Sequence, residues 1–466
     1  MDFFGREEEL KLLEGQFSSN KSRIVAIYGR RRVGKSALID SFIKTKRFQL
    51  IFEGKEKAKT NEQLELFTSE LRKQLKNPYL KKFESWEEAF DYLTENVFNQ
   101  TSRKQKYIFV LDELQWLAAG QSRLVALLKF YWDRYWQKQN IMLILCGSMA
   151  SFMVKKVISS KALYGRISLQ ILLGPLQPNQ GAQFFHKKRS NEEILKYFLI
   201  FGCIPKYLEE ININESFNKN INVLCFSRES FFYDEVNKIF YSQFKETKIY
   251  LDIVKAVSIV NLSAKEIGQA VKFKGGSIKF YLDNLVAAQI ISEYIPIGSP
   301  ENSRLKKYKL TDEFLVFYFK YIKPNLSLIK QGSLKKLFEK TCENQWQPWL
   351  GYAFERFCLK NALYLAKIMG FDDDIIGLGS YRQPGLQVDL LYKRADKTYV
   401  LSEIKYKDQE ITTEIIPEIE GKIKLFKLPK GYSLEKALIC VHGASAQLKA
   451  SRYFDYIVSV DDIIKG

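Results

Sequence analysis

Histidine and paired cysteine are scarce in this sequence. Only two histidines are present, His186 and His442, and the six cysteines are scattered without a C-x-x-C pair. Zinc sites and clustered histidine catalysis need more of these side chains close together. We therefore expect no zinc and no haem, and scattered thiols of this kind are typical of a reduced cytosolic protein.

The sequence also has no long apolar segment. The longest apolar run, from Ile141 to Val154, has 14 residues and is interrupted by Gly147-Ser148. A helix that spans a bilayer needs about 20 apolar residues. The first residues, 1–7, lack the basic and then apolar pattern of a secretory signal. We expect no membrane span, no export and a cytoplasmic location.

What the sequence does contain is a large, basic, globular composition. Its 466 residues suffice for about three domains, and a content of 46% hydrophobic and 14% aromatic residues excludes a largely disordered chain. Lys and Arg number 72 against 53 Asp and Glu, which gives a net charge of +19. This imbalance favours a polyanionic partner, either nucleic acid or an anionic membrane face, and charge alone does not choose between them.

A glycine-rich turn follows the first β-rich segment. The apolar run 23–28 leads directly into the sequence GRRRVGKS at 29–36, and a helical pattern follows over 37–44. A G-x4-G-K-S turn between a strand and a helix predicts a phosphate loop, with an ordinary glycine turn as the alternative. Its amides would hold the phosphates of ATP, Lys35 would reach the β and γ phosphates, and Ser36 would ligate Mg²⁺. The predicted nucleotide-binding residues are Gly29, Arg32, Val33, Gly34, Lys35, Ser36 and Ala37.

Two acidic residues end a second predicted strand. The apolar run 107–111 is followed by Asp112 and Glu113. Asp112 is expected to hold Mg²⁺ and Glu113 to polarise the attacking water, so the pair predicts hydrolysis rather than binding alone. The alternative is an edge strand that runs into two solvated acids.

A hydroxyl and an arginine come later in the same region. Ser148 follows the run 141–146, at the sheet edge where ligands of parallel sheets lie, and is either a γ-phosphate sensor or a helix N-cap. Arg166 is predicted to stabilise transition-state charge in its own or a neighbouring subunit, or else to be a solvated side chain. A contribution from a neighbour would require a homo-oligomer.

Together these segments resemble the archaeal-type ATPases, AAA-like P-loop proteins that occur in archaea and many bacteria. The resemblance also rests on the sequence FGRE at 4–7 and on 202–208, where Cys203 stands in place of the family's second glycine. It implies a parallel α/β sheet with a helical lid, and it leaves the arginines 30–32 either solvated or in contact with a partner. It also implies that the residues beside the nucleotide base are Phe4, Gly5 and Arg6.

From residue 247 to 324 the pattern changes to three helices and a β-hairpin. Helices are predicted over 249–259, 263–271 and 277–289, and strands over 290–295 and 307–310. This order is that of a winged helix-turn-helix, which binds DNA or, alternatively, other protein segments. We expect Pro324-Asn325 to be a linker. The predicted DNA contacts are Ser277 and Lys279 at base edges and Arg304, Lys306 and Lys307 at phosphates.

The remaining residues carry acids on two adjacent strands. Asp389 lies on the alternating run 385–392, and Glu403 and Lys405 lie on 398–405, after a turn. Two carboxylates can hold Mg²⁺, and a neighbouring lysine can activate water or steady a pentavalent phosphate. The arrangement resembles the PD-(D/E)xK nucleases, with Val388 in place of their proline. The resemblance implies metal binding by Asp389 and Glu403 and catalysis by Glu355, Asp389, Glu403 and Lys405.

We therefore predict a multidomain α/β protein. Its predicted parts are a P-loop AAA-like domain at 1–175, a helical lid at 176–246, a winged helix at 247–324 and a restriction-endonuclease-like domain at 325–466. The predicted function is ATP hydrolysis that controls DNA engagement or Mg²⁺-dependent cleavage. A nucleotide-controlled switch that recruits partners without cutting is the alternative, and a translocating ring of subunits is a third interpretation.

Overall fold

A computed structural model of the chain describes residues 3–99, 106–119, 123–244, 246–295, 297, 306–332, 336–342 and 344–466. Contacts divide the chain into two units, Met1–Gly174 and Pro175–Gly466. Among these described residues, no helix has the length and apolar character needed to cross a membrane. The further division of the second unit into three domains stays a prediction.

The first unit is built on a parallel sheet. Its strands pair in the order β2-β3-β4-β1-β5, and every pairing is parallel. Parallel strands need crossover connections that cover both faces, which explains the nearly continuous apolar runs of β3 and β4. The parallel α/β sheet predicted from these runs is confirmed. The strands are β1 (Arg23–Tyr28), β2 (Gln49–Glu53), β3 (Tyr107–Asp112), β4 (Ile141–Gly147) and β5 (Ile167–Leu172).

Helices accompany this sheet along the chain. Two of them continue into π-helical turns, Leu93–Phe98 and Met153–Ile158, and a 3₁₀ turn covers Trp136–Lys138. The α-helices are α1 (Glu7–Phe17), α2 (Lys35–Ile43), α3 (Thr60–Gln74), α4 (Trp86–Tyr92), α5 (Leu114–Leu117), α6 (Leu124–Arg134) and α7 (Ala150–Phe152).

Side chains of β1 alternate between two hydrophobic cores. Ile24 and Ala26 pack into a core that is rich in aromatic side chains of α3 and α4. Val25 and Ile27 pack into the other core, together with apolar residues of α2. Because strand side chains alternate with a period of two, one short run fills both cores. The carboxyl end of β1, where the glycine-rich turn begins, is thereby held on both faces.

The second unit begins with a helical region. Its side chains belong to one large core that extends into the rest of this unit. A 3₁₀ turn, Gln183–Phe185, lies between the first two helices. The helices are α8 (Pro178–Ala182), α9 (Asn191–Phe201), α10 (Pro205–Glu209), α11 (Phe217–Cys225) and α12 (Glu235–Gln243).

Three helices and an antiparallel hairpin follow, in the order that the sequence predicts. A capping box opens the second helix, because the Ser263 amide donates to the Glu266 carboxylate at 2.7 Å and the Glu266 amide donates to Ser263 Oγ at 3.3 Å. The two strands pair with Ile291 opposite Leu310. The elements are α13 (Thr247–Ile259), α14 (Ala264–Ala270), α15 (Ile278–Ala287), β6 (Ile291–Tyr294) and β7 (Lys307–Leu310).

The linker predicted at Pro324-Asn325 is wrong. These residues form part of a 3₁₀ turn, Lys323–Asn325, between the π-helical turn Tyr318–Ile322 and the next helix. Ile322 and Ile329, on either side of the turn, are buried in the same core. In a sequence, proline usually indicates the end of a structural element. Here it lies in a tight helical turn, and the residues on both sides of that turn are packed in the core. The helices around it are α16 (Glu313–Phe317), α17 (Leu326–Gln331) and α18 (Leu337–Cys342).

A separate mixed sheet closes the chain. Its order is β12-β11-β10-β9-β8, with antiparallel pairing from β8 to β10 and parallel pairing from β10 to β12. The 3₁₀ turns Asp372–Asp374 and Thr413–Ile415 precede β8 and α21. The elements are α19 (Trp346–Lys360), α20 (Ala362–Met369), β8 (Ile375–Gln383), β9 (Leu386–Arg394), β10 (Thr398–Lys405), α21 (Ile416–Leu425), β11 (Ser433–Cys440), α22 (Ala446–Ala450), β12 (Tyr456–Ser459) and α23 (Val460–Lys465).

Candidate functional site

The glycine-rich turn connects β1 to α2 in the geometry of a phosphate loop. Gly34 has φ 89°, a left-handed conformation that favours glycine, and α2 begins at the next residue. At Gly29 an added Cβ would lie only 2.2 Å from the carbonyl oxygen of Leu173, so only glycine fits there. The first amides of α2 thus open towards the turn, where a helix N-terminus favours an anion.

The side chains of this turn lie close to the acid that ends β3. Lys35 is only 6% exposed, and its ammonium group donates to the carbonyl oxygens of Gly29 at 3.1 Å and Arg30 at 3.0 Å. Ser36 Oγ donates to Asp112 Oδ2 at 2.8 Å. The hydroxyl and the carboxylate are ligand types that Mg²⁺ prefers, and the fold brings them into contact. The two predicted metal ligands therefore fit one site.

Glu113 and Ser148 also meet at this edge of the sheet. Ser148 Oγ donates to Glu113 Oε2 at 2.7 Å, and the amide nitrogen of Gln115 donates to both Glu113 and Ser148 Oγ. Glu113 has φ 50°, so its carboxylate is presented from a left-handed turn. The sequence reasoning missed Gln115, although its position two residues after the predicted base was an available signal.

Two further carboxylates surround Asp112. Burial, and then the charge of Asp112, raises the pKa of Asp40 on α2. Burial, and then the charges of Asp112, Glu113 and Asp40, raises the pKa of Glu53 at the end of β2. Like charges this close disfavour ionisation of one another, and a bound cation relieves that repulsion. The acids of this edge thus favour a divalent cation beside the phosphates.

Arg6 supports the phosphate loop from α1. Its guanidinium donates to the backbone carbonyls of Val33 at 3.1 Å and Gly174 at 2.5 Å, and to Glu9 at 3.0 Å. Arg6 is 5% exposed, so these bonds are shielded from water. The predicted role of Phe4, Gly5 and Arg6 beside the base stays a prediction, and Arg6 has a direct structural role in positioning the loop.

Two arginines differ from their predicted surroundings. Arg30 is only 5% exposed, so its solvated alternative is wrong, because the turn folds back onto the sheet. Arg166 directly precedes β5 and therefore lies at the amino ends of the strands, while the phosphate loop follows their carboxyl ends. Its guanidinium forms two bonds to Asp133, at 2.6 and 2.8 Å. The pairing with Asp133 lies away from the phosphate loop, so a catalytic role of Arg166, in its own or a neighbouring subunit, stays a prediction.

A second set of predicted residues meets on the mixed sheet. In the pairing of β9 with β10, Leu390 lies opposite Ser402, which brings Asp389 beside Glu403. Asp389 Oδ2 accepts the amide of Ile404 at 3.0 Å. Burial, and then the charge of Asp389, raises the pKa of Glu403. The register that the sequence left open thus places the two acids together.

Lysines neutralise the buried acid of this site. Glu403 is 1% exposed and pairs with Lys405 at 2.8 Å and with Lys422 on α21 at 2.5 Å. Glu418 pairs with the same two lysines, at 2.9 and 3.4 Å. Lys405 was predicted, while Lys422 and Glu418 were missed because they come from a helix that follows in sequence and docks on the sheet.

Glu355 reaches the same region from α19. Its pKa is raised by burial and then by the charge of Asp389, while Arg356, Arg382 and Lys309 oppose the shift. Within the described residues, no group of three or more His, Cys, Asp or Glu side chains has a metal-binding arrangement. A metal here would therefore have Asp389 and Glu403 as its carboxylate ligands, with Glu355 outside that pair.

The predicted DNA contacts fall into three groups. Ser277 and Lys279 are exposed at the start of α15. Lys306 pairs with Glu293 at 2.9 Å, and the Tyr294 hydroxyl donates to the carbonyl of Ser380 on β8 at 3.1 Å, so the wing is docked on the mixed sheet. Lys307 belongs to that docked wing, and Arg304 lies outside the described residues.

A phosphate loop on β1, an acid pair on β3 and a hydroxyl on β4 define the first unit as a P-loop nucleoside triphosphatase. Residues 3–211 match the family described as an ATPase domain predominantly from Archaea, and residues 318–416 match a family described as archaeal and bacterial proteins of unknown function. Residues 3–211 therefore form an ATPase domain of the archaeal type, as the resemblance implied, and the protein is an ATP-binding ATPase.

Two relatives and one solved structure are similar to parts or most of this chain. An uncharacterised protein of Methanocaldococcus jannaschii is 29% identical over 413 residues, which cover 87% of this chain and 88% of that protein. An uncharacterised ATP-binding protein of the same organism is 45% identical over 47 residues, 10% of this chain and 80% of that protein. A Walker-type ATPase of Pyrococcus abyssi has a similar fold, with a TM-score of 0.50 and 20% identity, over 68% of this chain and 96% of that structure.

Proposed function

We propose that Mg²⁺-dependent ATP hydrolysis by the first unit controls the engagement of DNA by the second unit, which cleaves it at Asp389 and Glu403. The observation that carries the proposal is the pairing of β9 with β10, which sets Asp389 beside Glu403 and its partner Lys405. Two carboxylates and a lysine on adjacent strands are the groups that phosphodiester hydrolysis requires. The net charge of +19 supports a polyanionic substrate.

In the first unit each residue has a distinct role in hydrolysis. Lys35 exchanges its bonds to the carbonyls of the loop for bonds to the β and γ phosphates. Asp112 and Ser36 hold Mg²⁺, which supplies charge neutralisation at the phosphates when bound. Glu113 accepts a proton from the attacking water, and Ser148, which holds the Glu113 carboxylate at 2.7 Å, senses the γ phosphate.

In the second unit the proposed roles follow the pairing of the acids. Asp389 and Glu403 hold a Mg²⁺ ion, and Lys405 orients or activates the attacking water. Lys422 lies 2.5 Å from Glu403 and 3.4 Å from Glu418, so a metal ion held by Glu403 would compete with Lys422 for one carboxylate oxygen, and Glu418 would remain as its partner. The exposed start of α15, with Ser277 and Lys279, provides the proposed duplex contact.

The coupling is tested by measuring the ATPase rate with and without duplex, single-stranded and branched DNA. Stimulation by one form is expected, since a substrate that is engaged through ATP turnover changes the turnover rate. An ATPase rate that is the same with every form, together with DNA binding that does not respond to ATP, would contradict the coupling.

A nucleotide-controlled switch without cleavage is the second candidate. The specific observation that favours it is the state of Glu403, which is 1% exposed and bonded by two lysines. Paired in this way, the buried carboxylate has its charge compensated without a metal. DNA binding that is independent of Mg²⁺, with no DNA product at any Mg²⁺ concentration, is the outcome that selects this candidate over the nuclease.

A further inference from the structure

A polar groove passes beside Glu355 in the second unit. It consists of two adjoining clefts of about 520 and 780 Å³. Both clefts are lined by Ile259 at the end of α13 and by Glu355 and Arg356 on α19. The smaller cleft continues along the wing strand β7 to β8, so the groove leads from the surface of α19 to the mixed sheet.

The groove has an excess of positive charge. Lys307, Lys309, Arg356 and Arg382 line the smaller cleft, where the only carboxylate among the described lining residues is Glu355. Burial lowers the pKa of Lys309 and of Arg356, and the charge of Glu355, joined at Arg356 by that of Glu313, opposes the shift only in part. A phosphate in the groove would add negative charge beside both cations. The docked wing therefore turns its cations inwards, to this groove.

Apolar and aromatic side chains stand open to solvent along the same groove. Ile259 is 80% exposed and Tyr352, on α19 in the larger cleft, is 67% exposed. Large side chains with this exposure bind a flat partner favourably, because contact removes their apolar surface from water. In proteins that bind single strands, nucleobases stack on aromatic rings. Cations for the backbone and an exposed ring for the bases thus occur together in one groove.

We infer that this groove binds a short segment of single-stranded DNA and leads its backbone to Asp389 and Glu403. The two clefts have the volume for a few nucleotides, and the exposed ring of Tyr352 favours unpaired bases, whose faces are open for stacking, over a duplex. Glu355 lies between the groove and the acid pair, since it lines both clefts and interacts with Asp389. The inference names the substrate form for the proposed nuclease function and rests on that function.

The test is binding of fluorescein-labelled oligonucleotides of about 12 nucleotides to the full chain, followed by anisotropy in EDTA so that nothing is cleaved. The probes are single-stranded DNA, the duplex of the same sequence and the matching RNA. Tyr352→Ala removes the exposed ring and Arg382→Ala removes an exposed cation of the groove. The matched controls are Tyr79→Ala, at a tyrosine that is 91% exposed in the first unit, and Arg452→Ala, at an exposed arginine away from the groove.

Single-stranded DNA is expected to bind more tightly than the duplex, and each groove variant to weaken it about tenfold while the controls bind as the wild type does. Arg382→Ala should also reduce the slope of log K against log salt by about 0.7, the value for one phosphate of a single strand. Tyr352→Phe, which keeps the ring, should restore binding.

Four outcomes overturn the inference. If the groove variants and the control variants bind the single strand equally well, the groove does not take part in DNA binding. If only the duplex binds, and Lys279→Ala weakens it, the groove inference is wrong while the DNA-acting function stands. Binding of none of the probes overturns both, and tighter binding of the RNA overturns the assignment to DNA.

Discussion

The charged groups of the nucleotide site and those of the carboxylate site have different kinds of hydrogen-bond partner. At the nucleotide site Lys35 is bonded to backbone carbonyls, and the carboxylates of Asp112 and Glu113 accept from the hydroxyls of Ser36 and Ser148. At the carboxylate site Glu403 is bonded directly to two lysines. A charged side chain exchanges neutral hydrogen-bond partners for an incoming ligand at little cost. A buried ion pair has to be broken before a ligand can bind, which costs more.

This difference suggests that the first site is ready for its ligand and that the second requires a rearrangement. Phosphates that reach Lys35 replace carbonyl oxygens with stronger, charge-assisted bonds. A metal at Glu403 has to compete with Lys422. Four measurements test this difference between the sites, and they follow in order of decreasing effect.

The largest effect is expected from Lys35→Ala. Loss of the ammonium group removes the main positive charge at the β and γ phosphates, so the ATPase rate should fall about 1000-fold. Steady-state phosphate release measures the effect. Lys44→Ala, at an exposed lysine just after the same helix, is the control and should keep the wild-type rate. Unchanged turnover in the Lys35 variant would remove the phosphate loop from the mechanism.

Asp389→Ala should lower Mg²⁺-dependent nicking about 100-fold and leave the ATPase rate in place, because a carboxylate ligand is lost in the second unit only. Cleavage of labelled single-stranded DNA and nicking of supercoiled DNA are followed on gels over a Mg²⁺ titration. Asp373→Ala, in the exposed turn before β8, serves as the matched control. If the Asp389 variant nicks as the wild type does, these acids are not the active site.

Ser148→Ala should reduce the hydrolysis rate about tenfold and leave ATP affinity unchanged. The hydroxyl holds Glu113 and is proposed to sense the γ phosphate, so its loss should act on the transition state more than on binding. Single-turnover hydrolysis and nucleotide titration separate the two quantities. A weaker affinity with an unchanged rate would assign Ser148 to binding instead.

The smallest effect is expected from Glu355→Gln, which should raise the melting temperature at neutral pH by about 2 °C. Burial raises the pKa of Glu355 above its ordinary value of 4.5. Its stabilising contribution is therefore present in acid and is lost as pH rises through the raised pKa. Glutamine does not ionise, so the variant should lose less stability between pH 4 and 7, as calorimetry can measure.

The control for this last measurement is Glu410→Gln, at an exposed glutamate of the same unit. It should melt as the wild type does over the same pH range. A melting temperature that falls in Glu355→Gln would show that the ionised carboxylate stabilises the fold, and the second site would then resemble the first more closely than we conclude.

The sequence predicted the nucleotide site well because its chemistry is local. The phosphate loop is one contiguous segment, and Asp112 and Ser148 each directly follow an apolar run. Since parallel strands end at one edge, these positions had to meet. Gln115 and Arg6 were harder to assign, because their roles depend on bonds across the sheet edge that no short pattern encodes.

The carboxylate site was only half predictable for the same reason. Asp389 and Glu403 follow from a hairpin, whose two strands are neighbours in sequence. Lys422 comes from a helix whose docking on the sheet is a matter of tertiary packing. The inward-facing wing is a further case, since strands and turns could be predicted for 290–310 but not the surface on which they pack.

The last residues of the first unit contact the phosphate loop, or the strand that leads into it, at three points. The amide of Leu173 donates to the carbonyl of Tyr28, the Leu173 carbonyl abuts Gly29, and Gly174 shares the guanidinium of Arg6 with Val33. The chain enters the second unit at the very next residue. The residues that lead into the second unit are therefore held by the same turn that is proposed to bind the phosphates.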